Sequence, residues 1–229
     1  MKIISLNVRG LGKIGEDTIN WVKDLIRIHN PDIFAIQESK RKKLNDGLIE
    51  IIWGNNNFEY VYKPAVDFSC GTILIWNPSK FIVSQVVEQE FFLAIKGRWV
   101  DVDDWIICGD FNEVRRESER KNCVFVESRA KMFNDFIDKS NLIEIPLGGL
   151  KFTRISDDGL KYSKLDRFLV SGACISMWVD LAACTLDRKH SDHCPIILKV
   201  CANNFGPRLT GVFNNWFEDV ECEELIKDA

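Results

Sequence analysis

Eight cysteines are scattered along the 229 residues without a single Cys-x-x-Cys pair, and no apolar stretch follows a basic start. The sequence therefore offers neither a disulfide framework nor a secretory signal, and reduced intracellular thiols are expected. No apolar run approaches the roughly 20 residues of a membrane span, so a soluble chain with no membrane partner is expected. A strong excess of one charge is missing too: 34 acids against 30 Lys and Arg leave a formal net charge of −4. That balance argues against coating nucleic acid by bulk attraction, so any contact with a polyanion must be local. Internal repeats and low-complexity tracts are absent. No feature calls for an obligate protein partner.

What is present is enough apolar residue, 46%, to close a sizeable core. One domain is expected over 1–201, followed by a linker and C-terminal tail over 202–229. The boundary lies where the pattern gives way to Asn203-Asn204-Phe205-Gly206-Pro207 and then to Phe213, Trp216 and Phe217. Strands are expected at 2–6, 32–37, 71–76, 81–87, 91–95, 105–109, 165–170 and 195–200, where β-branched and aromatic residues are bounded by Gly, Pro, Asn or Asp. Helices are expected at 16–29, with Ile19, Val22, Leu25 and Ile26 on one face and Asn30-Pro31 as the stop, and at about 127–140, with Ala130, Phe133, Phe136 and Ile137. Interleaved helices and strands indicate an α/β domain, and the close spacing from 71 to 95 suits antiparallel pairing.

Four polar sites stand where apolar strands end: Asn7, Glu38, Gly109-Asp110-Phe111-Asn112 and Ser191-Asp192-His193. Such boundaries are where α/β enzymes keep their chemistry. Hydrolysis of a phosphodiester needs charge compensation on the phosphate, an activated water and help for the leaving oxygen. Glu38 is a hard oxygen donor suited to Mg²⁺. Asp110 can orient or deprotonate water, and Asn112, placed on the same side if the strand stays extended, can donate to phosphate. His193 can donate to a non-bridging oxygen, with Asp166 fixing its tautomer. The basic run Lys40, Arg41, Lys42 and Lys43 can hold phosphates beside Glu38, although a solvated loop or a nuclear-localisation segment accounts for it as well. Taken singly, Asn7 and Asn112 are more often turn residues. Asp166 can instead pair with Arg167, Asp192 can cap a turn, and His193 can be a satisfied loop histidine. A zinc site from His190, His193 and Cys194 lacks a second pair at zinc spacing.

The ordered set Asn7, Gln37-Glu38, Gly109-Asp110-Phe111-Asn112, Leu165-Asp166-Arg167-Phe168-Leu169 and Ser191-Asp192-His193 resembles the endonuclease/exonuclease/phosphatase superfamily, which includes DNase I and apurinic/apyrimidinic endonucleases. The resemblance covers residues 2 to 200. The strings Ser5 to Gly12, Phe205 to Arg208 and Phe213 to Phe217 further resemble the endonuclease region of plant LINE-type retrotransposons. The resemblance implies a four-layer α/β sandwich, two mixed sheets face to face with outer helices. It implies Glu38 as principal metal ligand for Mg²⁺, with Mn²⁺ as an alternative, and Asp192 assisting the metal or leaving group. It further implies Asp110 and Asn112 at the nucleophilic water, His193 with Asp166 at the phosphate, and Asn7 orienting the metal-side carboxylates. The implied partner is double-stranded DNA. With the basic run, that substrate suggests a nuclear location.

Two departures stand out. Arg9 occupies a position where repair-type relatives carry an acid. Between Ile95 and Trp105 only nine residues remain, 96–104, too few for the strand with a catalytic tyrosine and the helix that such relatives have there. An average strand plus helix takes about 17 residues. The domain is therefore expected to lack one strand-helix unit, with sheet edges left open. Tyr60, Tyr62 and Tyr162 are the only tyrosines, and none has the context to substitute. The leading expectation is a DNA-nicking phosphodiesterase weakened by that deletion. The alternative is a catalytically silent remnant that at most binds nucleic acid or a protein. A phosphatase for lipid or inositol substrates ranks third, since no lipid-facing element is present.

Overall fold

The structure, a computed structural model, describes residues 1–12, 16–65, 70–89, 92–99 and 105–201. Its elements run β1 (Lys2–Asn7), α1 (Asp17–His29), β2 (Ile33–Gln37), α2 (Asp46–Trp53), β3 (Glu59–Lys63), β4 (Thr72–Trp76), β5 (Ile82–Glu88), β6 (Leu93–Arg98) and β7 (Ile106–Asp110). The second half continues with β8 (Arg120–Lys121), α3 (Glu127–Lys139), β9 (Leu142–Glu144), β10 (Leu147–Gly148), β11 (Arg154–Ile155), β12 (Tyr162–Ser163), β13 (Asp166–Ser171), α4 (Gly172–Met177), β14 (Leu181–Thr185) and β15 (Ile196–Val200). All eight expected strands and both expected helices are present. The expected tail, 202–229, lies outside the described residues.

Period-two alternation along the strands builds the layers. On β1, Ile4 and Leu6 face α1 and α2, joining Ile19, Val22, Ile26, Leu48, Ile49 and Ile52 in one core. Ile3, on the opposite side, enters a second core with Ile33, Trp76, Phe168, Val170, Ile196 and Leu198, between the two β layers. A third core places Phe133 and Ile137 of α3 against Leu142 and Leu169. The result is the four-layer α/β sandwich: α1 and α2, a sheet, a second β layer, and α3.

The first sheet is continuous, seven strands in the order β10-β14-β15-β1-β2-β4-β3. It is mixed, with β1–β2 and β10–β14 parallel and the other pairs antiparallel. The second layer differs from the single mixed sheet expected. Among the described residues it consists of antiparallel ribbons, β7-β13-β9, β5-β6 and β11-β12-β8, with no ladder joining β6 to β7. The expected strand at 91–95 runs on to Arg98, which leaves seven residues before β7. A parallel crossover needs about a dozen, so this connection cannot set β6 beside β7 in parallel.

Sequence patterning missed β14 and α4, the short strands β8 to β12, and α2 with β3. For α2 the signals were there: Asn45 caps it by accepting the Leu48 N–H at 2.9 Å, and Gly54 ends it with φ +89°. The segment Glu59–Lys63 then pairs with β4 as the edge of the large sheet.

Arg167 is fully buried on the outer side of β13. Its Nη1 donates to Glu144 Oε1 at 2.7 Å and its Nη2 to Glu119 Oε2 at 2.6 Å, while Lys164 and Arg115 also pair with Glu144. The anticipated Asp166–Arg167 pair does not form, because neighbours on a strand point to opposite faces. Burial works against the Glu144 charge, but Arg167, Lys164 and Arg115 outweigh it and hold the carboxyl down at about 2, from 4.5. Its folded value lies below its unfolded one, so its stabilisation is complete above about pH 4.5 and is lost as pH falls towards 2. Melting temperature is expected to decline through that window, with a shallower acid limb in Glu144→Gln; an unchanged limb would refute the assignment.

Candidate active site

The row of residues facing the interlayer core turns polar at one end of the sandwich. On β1 it reads Ile3, Ser5, Asn7; on β2, Ile33, Ala35, Gln37; on β7, Ile106, Cys108, Asp110; and on β13, Val170, Phe168, Asp166. Parity alone therefore delivers Asn7, Gln37, Asp110 and Asp166 to one polar end of the interlayer space.

Asn7 Nδ2 donates to Glu38 Oε1 at 3.0 Å and to Asp110 Oδ2 at 3.1 Å, linking carboxylates from different layers. Gln37 Oε1 accepts the Asp110 backbone N–H at 2.8 Å. This close approach depends on Gly109, which has φ +134° and whose added Cβ would lie 2.4 Å from the Gln37 amide. Glu38 adopts a left-handed φ of 51°, so its side chain leaves the line of β2.

Asp110 and Asp166 are direct cross-strand partners, an arrangement of like charges that is unfavourable by itself. His193 lies between them, with Nδ1 2.8 Å from Asp166 Oδ2 and Nε2 3.6 Å from Asp110 Oδ2. Burial, then the Asp166 charge, pushes the Asp110 carboxyl above its ordinary value. Burial disfavours the His193 imidazolium, but Asp166, Asp110 and Asp192 outweigh it and raise that pKa above 6.5. The site is thus a carboxylate inclined to take a proton beside an imidazole inclined to keep one.

The loop carrying His193 is fastened at both ends. Ser191 Oγ donates to the Asn7 carbonyl at 2.7 Å and accepts the His193 N–H at 3.1 Å. Thr153 Oγ1 accepts the backbone N–H groups of Leu165 and Asp166, each at 3.0 Å. Asp192 is buried and engaged by two guanidiniums, Arg154 Nε at 2.9 Å and Arg9 Nε at 3.4 Å. Sequence reasoning gave no site role to Gln37, Thr153 or Arg154. Only the alternation on β2 could have pointed to Gln37.

Asn112 departs from expectation. The strand stops at Asp110, and Asn112 takes a left-handed φ of 55° instead of continuing extended. Its backbone N–H returns to Asp110 Oδ1 at 2.8 Å, a turn that Asn tolerates well. The side chain is exposed at the rim. Lys40, Lys42 and Lys43 are exposed and pair with no acid among the described residues, while Arg41 donates to the Gly12 carbonyl.

The zinc alternative finds no support. Burial raises the Cys194 thiol to about 11, which opposes the thiolate that zinc takes. His190 packs edge-on against Trp21 at 5.9 Å. Among the described residues no group of three His, Cys, Asp or Glu is arranged to hold a metal. An Mg²⁺ site, however, requires only one or two carboxylates with waters and substrate oxygens. Glu38 fits that demand: its Oε2 accepts no hydrogen bond and no Lys or Arg pairs with it among the described residues. The buried Asp192 Oδ1 also receives no hydrogen bond.

The chain belongs to the endonuclease/exonuclease/phosphatase family, whose model matches residues 4–193. Members of that family are hydrolases acting on phosphoester bonds. Among solved structures, the AP endonuclease LMAP from Leishmania major is similar with a TM-score of 0.67 at 15% identity, over 86% of each chain. The 3′ phosphatase NExo from Neisseria, bound to a product DNA hairpin, matches with a TM-score of 0.67 at 15% identity, over 88% of this chain and 99% of that one. An AP endonuclease from Archaeoglobus fulgidus gives 0.66 at 14%, over 87% and 99%. At such identities the likeness carries the fold, which is the DNase I-like α/β sandwich. No curated protein matches the chain by sequence. Among the described residues no helix is long and apolar enough to cross a membrane.

Gly109→Ala is expected to destabilise the fold by about 2 kcal/mol or more, from backbone strain plus the clash with Gln37; urea unfolding measures it, and a neutral result would mean the two layers are not in contact there. The His193 imidazole is expected to titrate above 6.5 by NMR, and to fall on Asp166→Asn; an unmoved midpoint would show that Asp166 does not set it.

Proposed function

We propose that this chain is an Mg²⁺-dependent phosphodiesterase that nicks double-stranded DNA, of the LINE-type endonuclease branch. The observation that carries the reading is the buried assembly in which Asn7 joins Glu38 to Asp110 while His193 stands between Asp110 and Asp166. Bulk positive charge is absent, so the substrate is held locally, by the exposed Lys40, Lys42 and Lys43 that follow Glu38 in sequence. A fold relative that holds a product DNA hairpin supports nucleic acid as the substrate class. A nuclear location follows from that substrate and the basic run.

Glu38, assisted by Asp192, would hold Mg²⁺, which when bound supplies charge compensation on the phosphate and at the leaving oxygen. The raised pKa of Asp110 suits it to accept the proton of the attacking water as the new P–O bond forms and the ester P–O bond breaks. His193, kept protonated and oriented by Asp166, donates through Nε2 to a non-bridging oxygen. Asn112 donates from the rim, and Asn7 fixes the two carboxylates relative to each other.

A second reading, the catalytically silent remnant, is favoured by one observation: among the described residues no ladder joins β6 to β7. Nicking of supercoiled plasmid separates the two. With Mg²⁺ the purified chain is expected to nick, with loss of activity in EDTA and a drop of about 10² to 10⁴ in rate for Asp110→Asn. A sample folded by circular dichroism that does not nick would establish the remnant. A drop below tenfold in the variant would remove Asp110 from its role.

A further inference from the structure

We infer that Arg154 is a phosphate-binding residue of this site, held in place by Asp192 and presenting its free guanidinium edge to a non-bridging phosphodiester oxygen beside His193. The inference rests on the phosphodiesterase reading and adds a substrate contact to it.

Arg154 and His193 form an isolated antiparallel bridge. Its flanking bonds run from Ile155 N–H to the Asp192 carbonyl at 2.9 Å and from Cys194 N–H to the Thr153 carbonyl at 2.7 Å. Arg154 and His193 are therefore the non-hydrogen-bonded type of pair, in which side chains share a face and lie closest. Whatever phosphate His193 reaches, the Arg154 side chain starts from the neighbouring position.

The guanidinium is also oriented. Its Nε donates to Asp192 Oδ2 at 2.9 Å, and that carboxylate is only 2% exposed against 39% for Arg154. One end is thus buried and fixed while the other meets solvent. Neither terminal nitrogen makes a hydrogen bond or ion pair among the described residues. Arg9 is the informative contrast: it touches Asp192 too, but its Nη1 is already committed to Asp157 at 2.8 Å. A planar fork with one edge fixed and two donors left over matches two oxygens of one phosphate. A lysine could offer charge there but not both roles at once.

The test compares wild type with Arg154→Gln, Arg154→Lys and the control Lys139→Gln on the outer helix α3. Binding of a fluorescent DNA duplex is followed by anisotropy in EDTA across a salt series, so no turnover is required. Arg154→Gln is expected to lower the slope of log affinity against log salt by about 0.9, the value of one phosphate contact, and Lys139→Gln to leave it unchanged. With Mg²⁺, KM for nicking is expected to rise about tenfold or more in Arg154→Gln with kcat changed less, as for a charged hydrogen bond lost from binding. Arg154→Lys should restore the salt slope but not the full KM. An unchanged slope and KM would overturn the inference and leave Arg154 as a brace for Asp192. A chain that never nicks but shows the slope change would refute the phosphodiesterase reading while upholding the phosphate contact.

Discussion

The Asn7 amide donates both N–H bonds of one nitrogen to carboxylates from different β layers, Glu38 and Asp110. Being neutral, the amide holds the two acids together without cancelling their charge. Its reach also sets a distance. Asn7 and Asp110 meet only if β1 and β7 close to side-chain contact, which the bare Cα of Gly109 against Gln37 permits. A bulkier residue there would move Asp110 away from Asn7, and with it the Asn112 turn that its carboxylate holds. The chemistry is therefore tied to how closely two layers pack at one end.

Charge is sorted across β13 by parity. Asp166 faces inward to His193, and Arg167 faces outward to Glu119 and Glu144. Had Asp166 and Arg167 paired, the imidazole would lose the group that favours its proton, and two half-buried glutamates would lose their cation. The strand keeps a structural ion cluster and the Asp166–His193 pair one residue apart because its two faces see different layers. A buried ion cluster is weak evidence for net stability, but it rules out alternatives: a one-residue slip of β13 would bury Arg167 against the apolar interlayer core and turn Asp166 away from the site.

Much of this could be read from the chain. Polar residues closing the apolar strands marked Asn7, Glu38, Asp110, Asp166 and His193, and all five converge. The short span between residues 95 and 105 pointed to a missing strand-helix unit and an open edge, since chain length bounds what a connection can contain, but not to a second layer divided into ribbons. Other features were closed to local patterning. The partners of Arg167 lie 23 and 48 residues away, so nothing beside it in sequence names them. Asn112 was read as continuing an extended strand because propensity does not show where a strand stops. The segments of α2 and β3 are short, and only the caps Asn45 and Gly54 distinguished a helix there.

A discontinuous second layer raises the question of what keeps β5 and β6 in place. Side chains do: Val83, Ile95 and Trp99 pack into the interlayer core, with Phe81 and Trp99 rings 4.5 Å apart and Trp99 edge-on to Trp178 at 6.2 Å. Apolar packing is far less directional than a hydrogen-bond ladder, so a ribbon can dock without sharing register with its neighbour. Register matters where reacting groups must meet, and there it is fixed by the β7–β13 ladder that pairs Asp110 with Asp166. No candidate site residue lies on β5 or β6. The short connection between β6 and β7 therefore follows the part of the sandwich held by packing, while the site rests on strands paired in the β7–β13 ladder.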